Sequence, residues 1–109
     1  MSVVSEHVVR FNEGVRTGDW SSMLAHLAGD AEMEFVGVPV GPFHGRDAIE
    51  EAYRTQPPHD ELVVLEDRGD GTARYAWAKT PAEPAGDLRL TVADGRITRL
   101  VVTFDRAGA

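Results

Sequence analysis

Val4, Val8, Phe11 and Val15 recur at spacings of four, three and four, the apolar stripe of an amphipathic helix. Gly18 can take the left-handed conformation that ends a helix, so the first helix is predicted from about Ser2 to Thr17. Asp19 is placed to cap a short second helix with Trp20, Met23, Leu24 and Leu27 facing inward and Gly29 ending it. From Ala31 the period drops to two. Met33 and Phe35 fall on one face and Glu32 and Glu34 on the other, which predicts a half-buried strand. Gly37, Pro39, Gly41 and Pro42 break that strand into a bent connection with room for a very short strand at Phe43-His44. A third helix is predicted over Arg46 to Gln56, with Ile49, Ala52 and Tyr53 on one side and Pro57-Pro58 as its stop.

The rest reads as a meander. Leu62–Leu65 is a continuous apolar run, the pattern of a strand covered on both faces. Asp70-Gly71 and Asp94-Gly95 are hairpin turn signals. Between them lie strands at Thr72–Thr80 and Asp87–Ala93, and Arg96–Asp105 is the last and longest. Helices first and a meander last predict an α+β fold, not a parallel α/β sheet. A strongly curved, mostly antiparallel sheet around the first helix leaves an apolar hollow at its open end. Strand parity turns Met33, Phe35, Tyr75, Trp77, Leu88, Leu90, Leu100, Val102 and Phe104 toward it.

Composition narrows the classes. A chain of 109 residues suits a single domain, 1–109, around one core. Its 42% apolar and 27% charged residues describe a folded globule and argue against disorder. No apolar stretch approaches the roughly 18 residues of a membrane span, and Ser5, Glu6 and His7 interrupt any signal-peptide layout. The absence of cysteine removes disulfide and thiolate chemistry and matches the expected cytoplasmic location. With 18 acids against 11 bases the net charge is −7, and Arg96, Arg99 and Arg106 are too scattered for a basic patch. Nucleic acid is therefore not an expected partner.

Several segments occur together in order: Arg10-Phe11, Thr17-Gly18-Asp19-Trp20, Leu24 and Leu27, Asp30 to Phe35, and Phe43-His44-Gly45-Arg46-Asp47-Ala48-Ile49. In this arrangement nearly the whole chain resembles the nuclear transport factor 2-like superfamily, in its ketosteroid isomerase/SnoaL-like branch. The resemblance implies a cone-shaped, cystatin-like fold with three N-terminal helices on the curved sheet. It also implies a pocket for a small hydrophobic or aromatic molecule, no cofactor, and a homodimer formed through the outer sheet face, here Arg89, Thr91, Arg99, Val101 and Thr103. The isomerase of this branch uses a carboxylate base, with a tyrosine and a protonated aspartic acid donating to the enolate. Carried over by position, the tyrosine falls on Phe11, the base on Phe35 (or Val38), and the acid on or near Leu88. None can act as an acid or base, so ketosteroid isomerase activity is not expected.

Candidate pocket residues are Phe11, Trp20, Phe35, Tyr53, Tyr75, Trp77, Leu88, Leu90, Val102 and Phe104. Trp20 also reads as a plug between the first two helices. Tyr53 and Tyr75 carry hydroxyls that can replace the one missing at Phe11, and Tyr75 is the better placed because it shares the inner face with Trp77. Three residues are candidates for a relocated acid/base set: Glu34, if a β-bulge turns it inward, His44 near the pocket entrance, and Tyr75. Such a set would make the chain an isomerase, cyclase or hydrolase. Strand parity instead points Glu32 and Glu34 outward as solvated charges. His7, His26, His44 and His59 match no metal spacing.

Overall fold

The computed structural model describes residues 2–105; Arg106 lies outside them. Helix α1 spans Val3–Thr17, with the Ser2 side chain accepting from the Ser5 amide and Gly18 closing it in the left-handed region at φ 78°. Helix α2 is a single turn, Ser21–Leu24, and α3 spans Arg46–Thr55. Strands follow at β1 (Leu27–Val36), β2 (Phe43–His44), β3 (Leu62–Asp67), β4 (Thr72–Trp77), β5 (Pro84–Ala93) and β6 (Arg96–Phe104). They form one mixed sheet in the order β2-β1-β6-β5-β4-β3, antiparallel except where β1 runs parallel to β6. The sheet curls without closing, in a cystatin-like α+β fold.

Four local expectations are corrected. Leu27 opens β1 and does not close α2, because a register shift between Leu27 and Glu32 lets the strand bend through Gly29 and continue. Asp19 does not sit at the N-cap, which is Trp20; its carboxylate accepts from the Ser21 amide and hydroxyl just before the helix. Leu62–Leu65 is not covered on both faces, since β3 is a sheet edge and Leu65 is 41% exposed. Strand β5 starts at Pro84, earlier than expected, and its 10 residues exceed the 9 of β6. The Asp94-Gly95 hairpin has positive φ at both turn residues, 52° and 77°, as a type I′ turn requires.

The α1 stripe includes two residues beyond the apolar ones. Val4, His7, Val8, Phe11 and Gly14 are all buried. Gly14 is buried because the Trp20 indole lies on it: a Cβ there would sit 2.2 Å from Trp20 Cε3. Trp20 in turn stacks on Tyr53 of α3 at 4.7 Å and tilts against Phe11 at 5.7 Å. On the other side, Asn12 clamps α1 to the edge of the sheet. Its Oδ1 accepts from the Leu62 amide at 2.7 Å and its Nδ2 donates to the Leu62 carbonyl at 2.9 Å. The core beneath combines Val4, Val8, Met23, Leu27, Met33, Ile49, Leu88, Leu90, Ile97 and Leu100.

Helix propensity favours alanine over glycine by about 1 kcal/mol, whereas overpacking a filled contact costs about 1–3 kcal/mol. Gly14→Ala is therefore expected to destabilise the protein in urea unfolding. In a Trp20→Ala background the same substitution is expected to stabilise it. The same sign in both backgrounds would refute the packing account.

Candidate functional site

The concave face of the sheet and the inner side of α1 enclose a cavity of about 210 Å³. Its wall combines Phe11 of α1, Tyr53 of α3, Phe35 of β1, Leu62 of β3, Tyr75 and Trp77 of β4, Leu88 of β5, and Leu100, Val102 and Phe104 of β6. His7 completes the wall, with Gln56 and Pro58 beyond the end of α3. Gln56 is exposed and Pro58 and Trp77 are half-buried, which marks the mouth. Edge-to-face and stacked rings hold the wall: Tyr75–Trp77 at 5.8 Å, Phe35–Phe43 at 6.3 Å and Phe35–Phe104 at 6.2 Å. Phe11, Phe35 and Leu88 converge on this one cavity and contribute only carbon.

Not every candidate reaches it. Leu90 is buried in the core outside the cavity wall. Trp20 backs the wall from behind and lines a separate groove of about 570 Å³ with Asp19, Arg46, Glu50 and Arg54. That groove is larger but more open and mixed in polarity, whereas the aromatic cavity has the mostly apolar lining typical of small-molecule sites. Glu34 stays on the outer face, where its Oε1 accepts from the Arg99 guanidinium at 2.6 Å. His44 is 69% exposed and lies 3.4 Å from Glu32 through Nδ1. Neither borders the cavity.

The polar inventory of the cavity is short. Tyr53 Oη is engaged with Met33 Sδ at 3.6 Å. Tyr75 is 0% exposed, and its hydroxyl is the one buried side-chain polar atom without a partner among the described residues. Burial raises the pKa of both phenols, so both remain neutral donors. His7 is 3% exposed. Burial, assisted by the Arg10 charge, lowers its pKa to about 4, leaving a neutral imidazole at pH 7. Its place was legible by spacing, three residues after Val4 and four before Phe11. The histidine spacings themselves carry no such signal, because they fit no ligand pattern. Among the described residues no group of three or more acidic or histidine side chains is placed to hold a metal.

The His7 shift has a pH consequence. Its folded pKa lies below the unfolded value of 6.5, so the unfolded chain binds more protons between the two. Stability is complete above about pH 6.5 and falls as the pH drops toward 4, by up to about 3 kcal/mol. Asp19, Asp67, Asp70 and Asp105 are held below the usual carboxylate range by hydrogen bonds and act at lower pH. Urea titrations at pH 7 and 5 should show the loss in the parent protein and not in His7→Gln; equal losses would refute the assignment.

Comparisons with other proteins agree with this architecture. A solved structure of a protein from Kribbella flavida is 26% identical, with a TM-score of 0.65, covering 92% of this chain and 84% of its own. A candidate polyketide cyclase from Xanthomonas campestris is 20% identical, with a TM-score of 0.61 and coverage of 93% and 89%. A candidate ketosteroid isomerase from Kribbella flavida is 19% identical, with a TM-score of 0.63 and coverage of 95% and 78%. At these last two identities the likeness shows the fold alone. The search of curated proteins finds no match. The SnoaL-like domain family matches residues 8–100, and the chain belongs to that family, within the nuclear transport factor 2-like superfamily.

Proposed function

We propose that this chain is a small-molecule pocket domain for a compact hydrophobic or aromatic ligand, and that it works without the ketosteroid isomerase residues. The observation that carries this reading is the ring-lined cavity bordered by Phe11, Phe35 and Leu88, the residues that the resemblance sets against the isomerase groups. A volume of about 210 Å³ lies below the range of about 300–1,000 Å³ typical of drug-sized ligands. One- or two-ring molecules fit that size better than a four-ring steroid. No helix among the described residues is long and apolar enough to cross a membrane, and a cytoplasmic site of action is part of the reading. So is a homodimer through the outer sheet face, where Arg89, Thr91 and Arg99 are exposed.

A second reading, an isomerase, polyketide cyclase or hydrolase with relocated acid/base groups, has one observation in its favour. His7 and Tyr75, a neutral base and a phenolic donor, share the cavity. Glu34 and His44 lend it no support, because both lie outside.

Thermal shift separates these possibilities from an empty core. A compact aromatic at ten times its Kd should raise Tm by about 5–10 °C, whereas a steroid should leave it unchanged. The pocket reading fails if no one- or two-ring compound shifts Tm. Turnover of a β,γ-unsaturated ketosteroid would refute the absence of isomerase chemistry.

A further inference from the structure

We infer that the cavity selects a neutral ligand carrying both a hydrogen-bond acceptor and a donor, a hydroxy-carbonyl aromatic in its simplest form. In this arrangement Tyr75 Oη donates to the ligand oxygen and the His7 ring accepts from its hydroxyl. This rests on the pocket reading above and adds the chemistry of the occupant.

Two polar side chains on the wall of one small apolar cavity, one of them with an unpaired hydroxyl, are the starting point. The Tyr75 hydroxyl is fully buried and has no partner among the described residues. Buried polar groups are nearly always satisfied, and Tyr75 lines the cavity, so a molecule entering it can supply the missing partner. His7, 3% exposed, lies on the same wall. As a neutral imidazole it offers one acceptor nitrogen and one donor. The other phenol, Tyr53, is engaged with Met33 and stands behind the selection only as a ring surface.

Charge sets the second criterion. No arginine or lysine lines the cavity. A carboxylate or phosphate entering it would lose its water without meeting a cation, which is strongly unfavourable. A purely apolar ligand fills the space yet leaves both polar groups unpaired. A neutral molecule with one oxygen acceptor and one hydroxyl satisfies both, and a site built to hydrogen-bond a group discriminates against analogues that lack it.

Calorimetric titration of the full chain with a matched set of compact probes tests this. The set is 3- and 4-hydroxyacetophenone, acetophenone, ethylbenzene and 4-hydroxybenzoate. The better hydroxyacetophenone should bind at least tenfold tighter than ethylbenzene, acetophenone should fall between them, and 4-hydroxybenzoate should be weakest. Tyr75→Phe should remove the three- to tenfold gain of acetophenone over ethylbenzene, and His7→Leu the further gain from the hydroxyl. Ethylbenzene affinity should hold or rise in Tyr75→Phe, which removes a polar atom that this ligand cannot satisfy. If His7→Leu fails to fold, the His7 ring ¹⁵N shifts of the parent protein serve instead: they should move with hydroxyacetophenone and not with acetophenone. Ethylbenzene binding as tightly as the hydroxyketones, or 4-hydroxybenzoate binding best, would overturn the inference and leave the pocket reading standing. Failure of every probe to bind would overturn both.

Discussion

The cone depends on a side chain that never enters it. Trp20 presses its indole onto Gly14 of α1, stacks on Tyr53 of α3 and meets the Phe11 ring, so three helices share one packing point. Tyr53 carries that contact to β1 through Met33. From the far side, Asn12 fixes the same helix to the first residue of β3. With α1 held at both flanks, the curled sheet and the helix cannot collapse onto each other, and the space between Phe11, Phe35 and Leu88 stays open. The glycine permits the contact, because any Cβ at position 14 would occupy the place of the indole.

That scaffold carries an inverted distribution of polarity. Phe11, Phe35 and Leu88 on the cavity wall carry only apolar side chains. The polar atoms that do reach the cavity come from elsewhere, from Tyr75 on β4 and from His7, one turn before Phe11 on α1. Both are neutral at pH 7, and the Tyr75 hydroxyl is unpaired among the described residues. The unsatisfied phenol lowers stability, and the buried histidine lowers it only as the pH falls below about 6.5. Binding sites commonly hold groups whose partners arrive only with the ligand, and this cavity has that form.

Much of this was legible in the sequence, and the failures have physical causes. The 3.6-residue stripe, the Gly18 stop, the alternation from Ala31 to Phe35 and the Asp94-Gly95 turn are local signals, and each element formed where they pointed. Phe35, Tyr75, Trp77, Leu88 and Val102 reached the cavity wall because strand parity is local too. Whether Leu65 would be covered was not legible, since edge or centre is a property of pairing partners far along the chain. Trp20 and Leu90 were inward-facing but lie outside the cavity, because inward does not distinguish a wall from the layer behind it. His7 was missed for the opposite reason. Its helical position was as clear as that of Val8, yet a histidine suggests solvent or metal before it suggests the lining of an apolar cavity.

The central claim is that Tyr75 holds an unspent hydroxyl inside the cone, and the unfolding free energy of unliganded Tyr75→Phe tests it most directly. Deleting an unpaired buried hydroxyl removes a desolvated group and no bond, so the variant is predicted to equal the parent or exceed it by up to about 1–3 kcal/mol in urea. A loss of about 1 kcal/mol or more, the signature of a deleted hydrogen bond, would show the hydroxyl already partnered and contradict the account.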